Sequence, residues 1–298
     1  MSSASNCCAA LAAAMAAGLA SSSLAGPPMS ALLDPPPPAH VAVPPGVLRV
    51  CSDPNNLPFS NRKEQGFENR IARILGRELH RKVEYTWWPQ RRGFIRKTLK
   101  QGLCDVVIGV PANYELTENT PPYYRSTYVF VMRRDQRPPL TSIDDERLRA
   151  LKIGVTVIGD DYANLPPVQA LAARGMATNV RGFSIYGDYS KPNPPRAVID
   201  AVADRTVDVA VAWGPLAGYF ASREAVPLVT SPIAMLPDMP QLPMAYDIAV
   251  GVRHGDHELR RELEQALVAR RKDIGHVLAD FRVPVLERHE VASARAGG

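Results

Sequence analysis

The chain is predicted to fold as an α/β protein of two lobes, one inserted in the other, joined by two crossover segments and enclosing a cleft. Three observations predict this. Apolar strand-like runs alternate with amphipathic helical patterns in two successive series, which argues right-handed parallel crossovers. Polar loops rich in Pro, Gly and Asp recur where those runs end, the side on which open α/β sheets bind ligands. The chain has 298 residues and is 46% hydrophobic, enough for one large or two medium cores.

Charge narrows the function classes. The formal net charge is +5, with Lys and Arg interleaved with Asp and Glu and no long block of one sign, so nucleic acid is not the expected partner. A mildly basic surface attracts acidic partners at long range, an attraction that salt screens. No run after the first residues approaches the ~20 apolar residues of a membrane span.

Residues 1–25 are Ala-rich, carry no charged side chain and end in Ser23-Leu24-Ala25, the small residues a signal peptidase reads. This predicts a secretory signal cleaved near Ala25 and an extracytoplasmic protein. Residues 26–46 hold PP, PPPP and PP runs, which favour an extended, stiff leader without ladder hydrogen bonds.

Residues 47–135 read as the first part of lobe I. The run Leu48-Arg49-Val50-Cys51 breaks into Asp53-Pro54-Asn55-Asn56 and Pro58-Phe59, a buried strand entering a cleft loop. Phe67, Ile71, Ile74, Leu75 and Leu79 follow at helical spacing, with Arg70, Arg73 and Arg77 on a solvated face. Val83 to Trp87 is a second strand. A helix is expected to start at Pro89 and to be stopped by Gly102 after Leu99, and Cys104 to Pro111 reads as a strand covered on both faces. Thr127 to Met132 is a further strand.

Arg137-Pro138-Pro139 and Asp144-Asp145-Glu146 mark a boundary, and residues 136–240 read as lobe II. Strands are expected at 152–157, 177–183 and 207–212, with helices near 165–174 and 195–203. Polar loops stand at 159–164 and at Trp213-Gly214-Pro215. The Pro-rich stretch 227–243 crosses back. Residues 241–298 return to lobe I as a strand, Tyr246 to Val252, and one long closing helix lined by Leu259, Leu263, Leu267, Ile274 and Leu278.

Cleavage of the signal would leave Cys51 and Cys104 as the two cysteines. An oxidising compartment favours bonding, yet parallel strands with Cys51 near the end of one and Cys104 at the start of the next would stand ~10 Å apart at about 3.3 Å per residue. A disulfide and two buried thiols both remain open.

The order LRV, PF, GFENRIARILGREL, GLCDVVIGV, PYYRSTYVFVMRRD, KIGV, VDVAVAWGP over residues 47–285 resembles the bilobal periplasmic solute-binding proteins of type II that serve ABC importers. Narrower phrases, CSDPNNLPFSN, YTWWPQRRGF, GLCDVVIGVP, PYYRSTYVFV, IGDDYAN and VAWGPLAGYF, resemble the MxaJ/XoxJ group, which accompanies periplasmic quinoprotein methanol dehydrogenases. Those dehydrogenases use pyrroloquinoline quinone with calcium or a lanthanide. The resemblance implies a periplasmic, non-enzymatic accessory protein without a cofactor of its own, whose partner is the dehydrogenase in an inactive or incomplete form. A small ligand is unspecified, and an importer's binding protein for a small solute that is not an amino acid is the alternative.

Departures from amino-acid binders of that fold support the narrower reading. Such binders hold the substrate carboxylate with an Arg fork and the ammonium with an acid after the last strand of the second lobe. Here Gly109 to Leu116 contains no Arg, and Trp213 follows Ala212. A zwitterion's desolvation would go uncompensated.

The expected cleft residues are Asp53, Asn55, Asn56, Phe59, Trp88, Arg92, Tyr124, Arg125, Asp160, Asp161, Tyr162 and Trp213. Asp53, Asp160 and Asp161 suit capping or solvated roles better than acid–base chemistry, since no motif fixes their separation. His254 and His257 lack the further ligands of a zinc site and suit a surface turn. No glycine-rich phosphate loop is present. The aromatic and Arg clusters, Trp87-Trp88 with Arg91-Arg92 and Tyr123-Tyr124 with Arg125, are read either as hinge packing or as a recognition surface for a protein or an aromatic anion.

Overall fold

The computed structural model describes residues 45–136, 138–158, 165–185 and 189–287. The expected signal, the leader up to residue 44, and the candidate site residues Asp160, Asp161 and Tyr162 lie outside the described residues. The fold is the mixed α/β architecture of type II periplasmic binding proteins.

In the first lobe, β1 (Val47–Ser52) runs into a small ribbon of β2 (Asn55–Asn56) and β3 (Ser60–Asn61), then α1 (Phe67–Glu78), β4 (Lys82–Trp87), the short α2 (Phe94–Lys97), β5 (Val106–Pro111) and β6 (Glu118–Asn119). β1 lies between β4 and β5, parallel to both, with Val50 opposite Tyr85 and Val106. α1 covers this sheet because Phe67, Ile71 and Leu75 fall on one face and bury against Leu48, Val50 and Ile108. Its first turn is held by Asn69, whose side chain accepts from the Gly66 N–H at 3.1 Å and the Asn61 N–H at 3.2 Å. Gly66 is required there by close approach, since a Cβ would collide with the Phe59 carbonyl.

The long strand β7 (Tyr124–Arg133) joins the lobes. Tyr124 to Thr127 pairs antiparallel with β12 (Ala245–Val252), while Tyr128 onward pairs with the second lobe's β10 (Val209–Trp213) and β11 (Leu228–Pro232). The Met244 carbonyl accepts from the Tyr128 N–H at 2.8 Å and the Thr127 hydroxyl at 2.7 Å, so both crossings are fastened at one point. β7 therefore pairs through its first half with β12 and through its second half with β10 and β11.

The second lobe adds β8 (Ile153–Val157), α3 (Pro166–Ala173), β9 (Val180–Ser184), α4 (Ala197–Ala203) and α5 (Gly214–Ala221). β8 lies between β9 and β10, parallel to both. Phe130, Ile153, Val155, Leu171 and Val209 form one core layer, and Val131, Ile199, Ala210 and Phe220 the layer on the opposite face. The chain closes on the first lobe with α6 (His257–Ala269) and α7 (Arg271–Asp280).

The structure corrects four readings. No helix begins at Pro89: Gly93, at φ 86°, holds a left-handed turn and α2 starts after it. The closing helix is two helices that break at Arg270, which reaches Glu78 at 2.6 Å. Leu267 and Ile274 are seven residues apart, about two turns, so apolar periodicity runs through the break unmarked. Gly214-Pro215 is the first turn of α5 rather than a polar loop, Pro being suited to that position. The stretch 227–243 contains β11, an edge strand that ends in Pro232.

Cys51 and Cys104 are disulfide-bonded with Cα atoms 5.4 Å apart. The ~10 Å expectation fails because Cys104 precedes β5. After the left-handed Gly102 (φ 69°) the chain packs Cys104 with Cys51 and Leu99 in one cluster. Beside it, Asp105 is fully buried. Its carboxylate accepts from Arg49 Nε at 2.8 Å and Nη2 at 2.5 Å, and from Arg253 Nη2 at 3.1 Å.

Candidate functional site

The strand ends of both lobes surround a cavity of about 440 Å³, within the size range of small-molecule sites. The first lobe contributes Asp53, Asn56, Phe59, Glu68, Gln90 and Tyr124, and the second Tyr128, Thr156, Leu165, Tyr189, Trp213 and Leu216.

Tyr128 on β7, Trp213 at the end of β10 and Tyr246 on β12 touch one another at the crossing. Their centroids lie 5.2, 6.0 and 6.4 Å apart and their planes are inclined by 68°, 70° and 76°. Three rings so inclined make a corner rather than a stack. On the opposite wall Phe59 and Tyr124 both pack on the buried ring of Phe67, at 5.3 and 6.3 Å.

Asp53 is buried and its carboxylate is fully used. Oδ1 accepts from the Asn55 N–H at 2.8 Å, and Oδ2 from the Gln90 N–H at 2.6 Å and from the Tyr189 hydroxyl. The Ser60 hydroxyl donates to the Asp53 carbonyl at 2.8 Å. Asn55 reaches across the cleft: its Nδ2 donates to the Lys191 carbonyl at 2.8 Å and its Oδ1 accepts from the Asn193 N–H at 2.9 Å. The Arg91 guanidinium lies 4.8 Å from the centroid of the Tyr189 ring.

Glu68, in the first turn of α1, faces the cavity beside Gly109; a Cβ at that glycine would strike Glu68 Oε1. Its carboxyl has no hydrogen-bond partner among the described residues. Burial, and then the neighbouring Asp53 charge, push its pKa up to about 8. The described residues lining the cavity include these two acids and no Lys, Arg or His.

Of the expected cleft residues, Asp53, Asn56, Phe59, Tyr124 and Trp213 line the cavity together, and Asn55 ties its rim. Three stand elsewhere. Trp88 is 39% exposed and Arg92 is also on the surface. Arg125 alternates away from Tyr124 on β7 and pairs with Asp247 at 2.6 Å. His254 and His257 hold a surface turn, His257 Nδ1 meeting Glu118 Oε1 at 2.7 Å.

Sequence reasoning missed Glu68, Gln90, Tyr128, Tyr189 and Tyr246. Glu68 had a signal: it directly follows the core residue Phe67 and precedes buried Asn69, so it does not share the outer face of Arg70, Arg73 and Arg77. Among the described residues no group of three or more His, Cys, Asp or Glu is placed to hold a metal ion, and no helix is long and apolar enough to cross a membrane.

Two α/β lobes clasping a cavity at their strand ends define a solute-binding protein, and the chain belongs to the bacterial extracellular solute-binding proteins, family 3, whose profile matches residues 48–276. Within that family it is 31% identical over 250 residues to protein MoxJ of Methylorubrum extorquens AM1, covering 81% of this chain and 82% of the relative. It is similar to the crystal structure of the periplasmic binding protein XoxJ from Methylobacterium extorquens AM1, with TM-score 0.66 and 35% identity over 81% of this chain and 100% of that one. The crystal structure of MxaJ from Methylophaga aminisulfidivorans shares the fold, with TM-score 0.69 and 23% identity over 80% of this chain and 100% of that one.

Proposed function

We propose that this protein is a periplasmic, non-enzymatic accessory protein of a quinoprotein methanol or alcohol dehydrogenase, acting through protein binding in that enzyme's assembly or activation. The observation that carries the reading is similarity to MoxJ along 81% of the chain. The cavity adds to it: the described residues that line it include no Lys, Arg or His, and so no guanidinium to fork an amino acid's carboxylate. Trp88 and Arg92, both exposed, supply the residue types that anchor protein contacts. To activate an enzyme the protein must prefer its incomplete form, since equal affinity for two states shifts nothing.

Deleting the gene is expected to lower methanol oxidation and leave solute uptake unchanged, and a pull-down is expected to recover cofactor-free dehydrogenase better than the finished enzyme. The second reading, an importer's binding protein, is favoured by the cavity of about 440 Å³ between the lobes. An uptake defect with normal methanol oxidation in the deletion strain would decide for it.

A further inference from the structure

We infer that the cavity is a binding site for a small organic cation with an apolar body, an alkylammonium or arylalkylamine, held by the Tyr128, Trp213 and Tyr246 corner with Glu68 as its counter-ion. This goes beyond the accessory role and does not depend on it.

Electrostatic sign selects the ligand class. Among the described residues that line the cavity are two carboxyl groups, Asp53 and Glu68, and no basic side chain. A carboxylate or phosphate ligand would enter a low-dielectric space facing like charge. A zwitterion would leave its carboxylate without a partner. A cation meets the negative faces of aromatic rings, the surroundings that hold ammonium groups elsewhere. The rings of Tyr128, Trp213 and Tyr246, inclined by 68° to 76°, present differently directed surfaces, which suits a compact cation better than a flat stacked one. The remaining lining, including Phe59, Val110, Pro111, Ile158, Leu165 and Leu216, accommodates an apolar body.

Among the described lining residues, Glu68 is the group left to meet that charge. Asp53 already accepts from Asn55, Gln90 and Tyr189, whereas the Glu68 carboxyl has no hydrogen-bond partner among the described residues. The titratable groups that face Glu68 are Asp53 on the loop after β1, Tyr85 on β4, and Tyr123 and Tyr124 at the start of β7. The three phenols have raised pKa values through burial and stay neutral, and Asp53 repels a second negative charge. With its pKa raised to about 8, Glu68 is mostly protonated at pH 7 before ligand arrives. A cation ionises it, so binding releases a proton to solvent, and affinity rises with pH until about 8.

The test is calorimetry on the protein purified from the periplasm. Choline and benzylamine are the cationic probes, 3,3-dimethylbutan-1-ol and benzyl alcohol their neutral isosteres, and benzoate the anion. At least one cation is expected to bind tenfold or more tightly than its isostere, with benzoate weakest. Choline does not titrate, so at pH 7 its heat should depend on buffer ionisation enthalpy as proton release requires, and its affinity should rise between pH 6 and 8. Glu68→Gln is expected to lower choline affinity at least tenfold, to abolish the buffer dependence and to leave 3,3-dimethylbutan-1-ol unaffected. Equal affinity for cation and isostere, preference for benzoate, or no cation bound at millimolar concentration would overturn the assignment. The wild-type pH and buffer dependence reads the proposal without any variant. A deletion strain's methanol oxidation reads the accessory role separately.

Discussion

The Tyr189 hydroxyl on the second lobe donates to the Asp53 carboxylate on the first, closing a hydrogen-bonded link across the mouth of the cavity. Asn55 doubles it through the Lys191 carbonyl and the Asn193 N–H. A bond to an ionised acceptor contributes about 1.5–3 kcal/mol, and truncating Tyr189 leaves Asp53 its two backbone donors. Tyr189→Phe is therefore expected to loosen closure without unfolding either lobe. Combined with Asn55→Ala it should shift the lobes toward an open arrangement, seen as a larger radius of gyration in solution scattering. An unchanged radius in the double variant would show that other contacts set the closure.

How far the sequence reveals this site depends on the kind of signal each part carries. Asp53, Asn56, Phe59 and Trp213 stand just past apolar runs, so strand-end reasoning finds them. Trp88 and Arg92 were expected by the same reasoning, but the chain leaves β4 and turns outward before α2, and a turn's direction is a tertiary property. Tyr128 and Tyr246 lie within strands whose pairing is set by the crossing at Met244, which no local period encodes. Tyr189 belongs to a polar segment between β9 and α4, and its link to Asp53 spans 136 residues. The alternation of strands and helices survives because each period is local. The break at Arg270 and the edge strand β11 do not, the first because two turns preserve the apolar stripe and the second because its prolines hide it.

Asp105 holds two guanidinium groups while fully buried, one from β1 and one from the segment after β12. The Arg49 pKa is raised chiefly by its hydrogen bond to this carboxylate, against the cost of burial. Asp105→Asn keeps the shape but leaves Arg49 without its ion-pair partner, and removing one member of a buried pair costs about 3–5 kcal/mol. Urea unfolding is expected to show a loss of that size. A loss below about 1 kcal/mol would mean that water or a rearranged carboxylate takes over the role.

The Cys51–Cys104 bond closes a loop spanning 53 residues that contains α1, β4 and α2. By chain entropy a loop of that length restricts the unfolded state by ~4 kcal/mol, and observed effects commonly run about 2–4 kcal/mol. Replacing Cys51 and Cys104 by Ser is expected to lower the unfolding midpoint of the protein. Adding a reductant should then change the wild type and leave the double variant unaffected.

Glu68 sets the last expectation, a stability that falls as pH rises. Its folded-state pKa, about 8, lies above the ordinary value of 4.5, so between those limits the folded protein holds a proton that the unfolded chain has released. The contribution is fully present below pH 4.5, declines through neutrality and is exhausted above pH 8, with a slope of at most about 1.4 kcal/mol per pH unit. Glu68→Gln keeps a neutral group of the same shape in the cavity and removes the titration. Unfolding free energies measured from pH 5 to about 9 should therefore lie close together near pH 5, separate steadily up to about pH 8 and keep a constant gap beyond it, with the variant more stable. Parallel curves for the two proteins would place the Glu68 carboxyl in contact with solvent water and return its pKa to the ordinary range.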